Sequence, residues 1–71
     1  MGTEQFPQRL SRLRRRKGWS QEVLAGLSGL SERTIRKYEH GTLMPSMQSL
    51  SALADALDTS MDYLSCREVN S

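Results

Sequence analysis

Apolar residues recur at every third or fourth position along most of the chain, which predicts helices throughout. Phe6, Leu10 and Leu13 form one such stripe and indicate a first helix from about Pro7 to Lys17. A proline is tolerated in the first turn of a helix, because the N–H that it lacks would have no partner there. No alternating run of apolar and polar residues is typical of a strand. The pattern therefore predicts an all-α fold.

Two short helices follow the first, and a glycine turn joins them. The second begins after Ser20, a typical N-cap residue, and ends before Gly29. The third begins after Ser31, runs to His40 and stops at Gly41. A turn of three or four residues that contains glycine is what a helix-turn-helix requires. The spacing therefore predicts a helix-turn-helix made of the second and third helices.

Two further helices complete a compact five-helix domain. Ser46 is the expected cap of the fourth helix, which continues to Asp58. Ser60 is the expected cap of a short fifth helix, on which Met61 and Leu64 face the same way. The predicted N-terminal segment, helix-turn-helix domain and C-terminal tail span residues 1–6, 7–65 and 66–71.

The third helix has two chemically different faces. Ile35 and Tyr38 lie three positions apart on one face, beside Leu30. We expect this face to pack against Leu24 and Ala25 of the second helix. The opposite face presents polar side chains, namely Glu32, Arg33, Arg36, Lys37 and His40. Long donors on a helix held from behind suit the DNA major groove, which is about 12 Å wide and in which Arg and Lys donate to guanine.

The charge of the chain is unevenly distributed, which bears on its ligand. Residues 1–40 hold nine of the ten Lys and Arg residues and carry a net charge of +5, whereas residues 41–71 carry −3. A basic half suits a polyanion, although an ordinary solvated surface gives the same pattern. The first helix supplies five further cations, Arg9, Arg12, Arg15, Arg16 and Lys17. Arg16 and Lys17 lie closest to the second helix and are the predicted phosphate partners among them.

Composition excludes several other classes of site. Cys66 is the only cysteine and His40 the only histidine, so no internal disulfide and no His/Cys zinc site is possible, and no cofactor is expected. A nucleophile needs a base and an orienting group within reach, but the Ser residues lie at predicted caps or on helix surfaces and the only His lies on the outer face of the third helix, so an enzyme is not expected. No apolar run approaches the roughly 20 residues of a membrane span, and no signal peptide is evident, which favours the cytoplasm. Met44 and Met47 are interpreted as flexible packing residues.

From about Gln8 to Leu64 the chain resembles the Cro and lambda-repressor type of helix-turn-helix domain, which includes the xenobiotic-response-element-like regulators. The segments that carry the resemblance are KGWSQEVLA, GLSERTIRKYEHG and LSALADAL. The resemblance implies a five-helix lambda-repressor-like fold whose third helix reads DNA. One departure is that neither residues 1–6 nor the loop from Thr42 to Ser49 contains Lys or Arg, which argues against contacts from an arm or from that loop.

The resemblance also implies roles for individual residues. Gln21 is expected to contact a DNA phosphate and to support the third helix, and Thr34 is expected to contact the DNA backbone. Base reading is expected from the first turn of the third helix and the turn after it, at Glu32, Arg33, Arg36 and Lys37. Glu32 either accepts a hydrogen bond from a cytosine amino group or only interacts with the helix dipole. His40 is a further candidate for a phosphate contact, and Arg14 is expected to form a structural ion pair with Glu39.

The predicted function is that of a sequence-specific regulator of transcription that binds double-stranded DNA. We expect a repressor that acts as a homodimer on a near-palindromic operator, because one module reads about half a site. The dimer surface is expected on apolar residues of the acidic half, at Met61, Tyr63, Leu64 and Val69. No small-molecule effector is expected. The alternatives are an antitoxin or adaptor-type module, whose main partner is a toxin or an antagonist protein, and a non-specific nucleic-acid binder.

Overall fold

The computed structural model describes residues 4–67 as five α-helices. These are α1 (Phe6–Arg16), α2 (Gln21–Ser28), α3 (Glu32–His40), α4 (Met47–Ala56) and α5 (Met61–Leu64). No strand occurs within these 64 described positions, and the predicted all-α, five-helix fold is confirmed. None of the five helices is long and apolar enough to cross a membrane.

The bounds of α2 and α3 are as predicted, whereas those of α1 and the end of α4 differ from the predicted ones by one or two residues. α1 begins at Phe6 because Gln5 is its N-cap, and the N–H of Gln5 donates to Oε1 of Gln8 at 3.1 Å. α4 ends at Ala56, two residues before the predicted end. Asp58 has a φ of 56°, in the left-handed region, so it cannot continue a right-handed helix.

Serine caps define where four of the five helices begin. In each case the serine Oγ accepts the backbone N–H three residues further on, at 3.0–3.1 Å. The capping residues are Ser20, Ser31, Ser46 and Ser60. Such a bond satisfies one of the N–H groups that a helix start leaves without a partner, and it contributes about 1 kcal/mol.

The core takes one fully buried side chain from each helix. These side chains are Leu10, Leu24, Ile35, Leu53 and Leu64. Leu64 was assigned to a dimer surface from the sequence, and that assignment is wrong. Its side chain has no exposed surface because α5 packs against both α1 and α4. A five-helix core of this size needs that leucine within the protomer, so it is not available to a partner.

A polar cluster joins the N-terminal segment to both α1 and α5, and we refer to it as the N-terminal clasp. Its members are Glu4, Arg9, Arg12 and Tyr63. The Glu4 carboxylate accepts from Arg9 Nε at 2.9 Å and from Arg12 Nε at 2.7 Å. Arg9 Nη1 donates to the carbonyl oxygen of Tyr63 at 2.8 Å, and Arg12 Nη2 donates to the Tyr63 hydroxyl at 3.0 Å. The clasp therefore engages two of the five cations that the sequence analysis counted on the first helix, Arg9 and Arg12.

The clasp predicts a specific pH dependence of stability. Hydrogen bonds from Arg12 and Arg9 lower the pKa of Glu4 from 4.5 to about 2. Because the folded pKa lies below the unfolded one, the stability that the carboxylate contributes is complete above about pH 4.5 and is lost as the pH falls towards 2. We expect Glu4→Gln to unfold at lower urea concentration than the wild type at pH 7, and the difference to shrink between pH 5 and pH 2.5.

The control for this experiment is Glu22→Gln, because Glu22 is an exposed carboxylate in the first turn of α2. This variant should keep the pH dependence of the wild type. If the wild type and Glu4→Gln lost stability in parallel over the whole pH range, the clasp would not stabilise the fold through the Glu4 charge.

Candidate nucleic-acid interface

α3 is held from behind by the core, which leaves its other face outward. Ile35 has no exposed surface, Tyr38 is 4% exposed, and the helix packs against both α1 and α2. The Phe6 ring of α1 meets the Tyr38 ring edge-on, with 5.8 Å between the ring centroids. A free helix of nine residues is marginal in water. Packing against the core therefore determines which side chains α3 presents to solvent.

The outward face of α3 carries the predicted base-reading residues. Glu32, Arg33, Arg36 and Lys37 are all exposed and occupy the first turn of the helix and the turn after it. A shallow depression on this face is lined by Arg33, Arg36, Lys37, His40 and Thr42. We call the side chains of Arg33, Arg36, Lys37 and His40 the basic surface. The structure thus brings these side chains together without burying them.

One ion pair lies on this outward face, between Glu32 and Arg36. Nη2 of Arg36 is 3.2 Å from Oε2 of Glu32, and the two side chains are 49% and 45% exposed. An exposed pair one helical turn apart is worth roughly 0–1 kcal/mol. The pair can therefore open at little cost when a ligand competes for the guanidinium. Glu32 has a third possible role besides the two considered from the sequence, which is to orient Arg36.

His40 is oriented by a hydrogen bond to the backbone of its own helix. Its Nδ1 lies 3.0 Å from the carbonyl oxygen of Arg36. A carbonyl oxygen only accepts, so Nδ1 is the donor of this hydrogen bond, which leaves Nε2 as the ring nitrogen available to a ligand.

A buried ion pair connects the end of α3 to α1. Nε of Arg14 is 2.6 Å from Oε2 of Glu39, and Nη2 is 3.0 Å from Oε1. The side chains are only 10% and 7% exposed. Nη1 of Arg14 also donates to the carbonyl oxygen of Trp19 at 2.8 Å, and the hydrogen bonds with Glu39 raise the pKa of Arg14. This is the pair expected from the resemblance, and it connects α1, the α1–α2 turn and α3.

Gln21 extends this network to the first residue of α2. Its Nε2 donates to Oε1 of Glu39 at 3.1 Å, and its side chain is half-buried. The bond fixes the amide plane and leaves Oε1 and the second N–H of the amide free of any partner in the network. The position of Gln21 at the start of α2 also suits an anion, because the helix dipole is positive there.

The exposed cations at the end of α1 border two different surfaces. A groove between α1 and the end of α3 is lined by Pro7, Gln8, Ser11, Arg12, Arg15, Arg16 and Glu39. Arg16 also borders a second depression, together with Lys17 and Asp58. Nζ of Lys17 lies 5.8 Å from the centroid of the Trp19 ring. Arg15, which the sequence did not single out, is thus placed beside α3 at least as directly as Lys17.

The residues predicted for a dimer surface do not form one exposed apolar face. Leu64 is buried in the core, as described above, whereas Met61 and Tyr63 are half-buried. Tyr63 also belongs to the N-terminal clasp, where the guanidinium carbon of Arg9 lies 4.1 Å from its ring centroid. Val69 lies outside the described residues. Within residues 4–67, the exposed large apolar side chains are elsewhere, at Val23, Leu27, Leu43, Met44 and Met47.

Two capped helices, α2 and α3, are joined at a left-handed glycine. The outer face of α3 is cationic, and an ion pair fixes α3 to α1. Together these features define a helix-turn-helix domain of the DNA-binding type. A family model described as a helix-turn-helix matches residues 10–64, and the chain belongs to this family, as the resemblance to Cro and lambda-repressor domains implied. The family consists of DNA-binding regulators of transcription and not of enzymes.

Known relatives agree with this assignment in sequence and in structure. The HTH-type transcriptional regulator AnsR of Bacillus subtilis (strain 168) is 43% identical over 60 residues, which are 84% of this chain and 52% of AnsR. The restriction-modification controller protein C.AhdI of Aeromonas hydrophila is 44% identical, with a TM-score of 0.81, over 83% of this chain and 89% of that one. The P22 c2 repressor in complex with a synthetic operator is 29% identical, with a TM-score of 0.87, over 93% of this chain and 100% of that one.

The chain spans about half the length of AnsR, although it spans nearly all of the two solved structures. The shared part is the helix-turn-helix domain. Among residues 4–67, no three His, Cys, Asp or Glu side chains gather as a metal-ion site would require.

Proposed function

We propose that this protein is a sequence-specific repressor of transcription that binds a near-palindromic operator as a homodimer, with α3 in the major groove. The observation that carries the proposal is the geometry of α3. Its inner face is fixed by Ile35 and Tyr38 in the core, and its outer face holds the basic surface in the open. A rigid helix with exposed donors is what direct reading of base edges needs.

Three cations supply the donors for base reading. Arg33, Arg36 and Lys37 lie within five positions, so they span little more than one turn of helix and face the same few base pairs. Arg and Lys donate to O6 and N7 of guanine, and each good pair discriminates against the wrong base by about 1–3 kcal/mol. The preferred half-site should therefore be rich in guanine on one strand.

Phosphate contacts would hold α3 at a defined depth in the groove. Gln21 stands at the start of α2 with its amide oriented by Glu39, and Thr34 is half-buried beside the Ser31 cap. Arg15 and Arg16 border the groove between α1 and α3. Contacts of this kind set register and affinity and carry no sequence information of their own.

The small size of the recognition helix α3 supports a dimer. One nine-residue helix contacts only a few base pairs, whereas two such helices one DNA turn apart, at about 34 Å, read a two-fold symmetric site. The operator complex of the P22 c2 repressor, which this chain resembles over 93% of its length, supports an operator as the ligand of this chain too.

Selection from a pool of randomised duplexes tests the proposal. We expect a near-palindromic winner that binds at least about 10³-fold more tightly than a scrambled duplex at physiological salt. Affinity for the winner should also fall steeply with salt, since each neutralised phosphate releases counterions. Equal and weak binding to every duplex would contradict the proposal, and a stoichiometric protein partner would then be the ligand to look for.

A further inference from the structure

Arg12 belongs both to the N-terminal clasp and to the groove between α1 and the end of α3. In the clasp, its Nε lies 2.7 Å from Oε2 of Glu4, and its Nη2 lies 3.1 Å from Oε1 of the same carboxylate. In the groove, its side chain lines a volume of about 510 Å³ together with Arg15 and Arg16. Arg12 is therefore the residue at which the clasp and the groove meet.

Glu4 holds Arg12 in the geometry with which arginine also binds phosphate. Two roughly parallel N–H···O bonds from one guanidinium to one acidic group suit a carboxylate and a phosphate equally well. Glu4 thus occupies the donors that Arg12 would offer to a phosphate. The Arg12 side chain is still 38% exposed, so solvent and ligands can reach the pair. An ion pair that is open to solvent is weak, and a competing anion can replace its acid.

The groove lies next to a position at which a DNA phosphate is proposed to bind. Glu39 lines the groove, and its Oε1 accepts from Nε2 of Gln21 at the start of α2. Arg14 already neutralises Glu39 in the buried pair. Arg15 and Arg16 are exposed, so the groove is cationic even while Arg12 is engaged by Glu4.

We infer that Glu4 is an internal competitor of DNA: its carboxylate stands in for a backbone phosphate on Arg12, and opening of the clasp releases Arg12 for a phosphate contact beside Arg15 and Arg16. The inference rests on the proposed function, since it assigns the DNA backbone to the groove. When Glu4 leaves, Arg9 keeps the carbonyl oxygen of Tyr63 as an acceptor at 2.8 Å. The N-terminal segment therefore lowers DNA affinity, whereas a basic arm would raise it.

DNA binding by Glu4→Gln tests the inference. The probes are the duplex selected by the wild type and a scrambled duplex, each titrated over a series of salt concentrations at pH 7. We expect Glu4→Gln to bind both duplexes more tightly, on the order of fivefold at about 0.15 M salt, because one further phosphate contact steepens the salt slope by about 0.9. The ratio of the two affinities should stay the same, since a phosphate contact carries no sequence information.

Three further variants separate the release of Arg12 from a general gain of positive charge. Asp55→Asn removes the same charge from an exposed position on α4 and should bind DNA as the wild type does. Glu4→Gln/Arg12→Gln lacks the released cation and should lose the gain in affinity. Glu4→Asp keeps the net charge but shortens the side chain by one methylene, so it should also bind more tightly than the wild type. The fluorescence of Trp19 shows whether each variant is folded under the conditions of the titration.

The remaining outcomes identify which idea is wrong. A wild-type salt slope in Glu4→Gln would overturn the inference, and so would a gain that Asp55→Asn or the double variant shares. If Glu4→Gln does not fold, Glu4→Asp decides the matter, because unchanged binding by that variant would overturn the inference too. If the wild type selected no duplex, the proposed function would fail. The scrambled duplex would then still test the role of Glu4, since phosphate contacts do not depend on the base sequence.

Discussion

Replacing Glu39 with Ala is expected to lower the free energy of unfolding by about 3–5 kcal/mol. The substitution leaves the Arg14 guanidinium buried without its counter-charge, and it removes the acceptor of Gln21 at the same time. A domain of 71 residues has a total stability of only about 4–11 kcal/mol. The variant should therefore be largely unfolded in moderate urea. Trp19, the only tryptophan, reports unfolding by its fluorescence.

The double variant Arg14→Met/Glu39→Leu provides the decisive comparison. Removing both charges leaves no unpaired ion, so we expect it to be more stable than Glu39→Ala, although the backbone carbonyl of Trp19 loses its donor. Arg36→Ala breaks an exposed ion pair of the same chemistry and should cost no more than about 1 kcal/mol. If Glu39→Ala cost as little as Arg36→Ala, the buried pair would not hold α3 in place.

The helices were predictable because their signals are local. Each of the capping serines bonds to a backbone N–H only three residues away, so the sequence contains both partners within one turn. The end of α4 was less predictable, because the apolar stripe continues through Leu57, which is buried but lies beyond the last helical residue. A stripe locates the buried face and does not by itself locate the residue at which the backbone leaves the helix.

The long-range polar contacts could not be inferred from periodicity. Arg9 and Arg12 meet Tyr63 across more than 50 positions, and no spacing rule connects residues so far apart. The pairing of Arg14 with Glu39, 25 positions apart, was expected only because the chain resembles a known family. The two faces of α3 were predictable from the 3.6-residue period, whereas which cations remain free to meet a ligand depends on these tertiary contacts.

The exposure of Met44 and Met47 was also beyond sequence reasoning. Met44 lies in the loop before Pro45 and Met47 begins α4, and the direction of a side chain there depends on how the loop crosses the helices that it joins. Methionine is common both in cores and at adaptable surfaces, so its identity does not decide between the two. Only the folded structure shows that both methionines point away from the core.

Replacing Arg36 or Lys37 with Ala is expected to change which sequence the protein prefers, by about 1–3 kcal/mol at one base position. Both side chains are exposed on the outer face of α3, and neither is needed for the core. Gln21→Ala should instead weaken binding by a similar factor on every duplex, because a phosphate contact does not depend on the base. Measuring each variant on the selected duplex with one half scrambled excludes any effect of a contact between two copies.

The same measurement decides the role of Glu32. If its carboxylate accepts from a cytosine, Glu32→Gln should lower affinity only for duplexes that carry that base pair. If Glu32 only restrains Arg36 through their 3.2 Å ion pair, the variant should bind every duplex as well as the wild type or better. The Arg36 guanidinium then no longer has to break an ion pair before it contacts DNA. Should Arg33→Ala, Arg36→Ala and Lys37→Ala all keep the wild-type preference, α3 would not be the helix that reads bases, and the orientation proposed for the domain on DNA would be wrong.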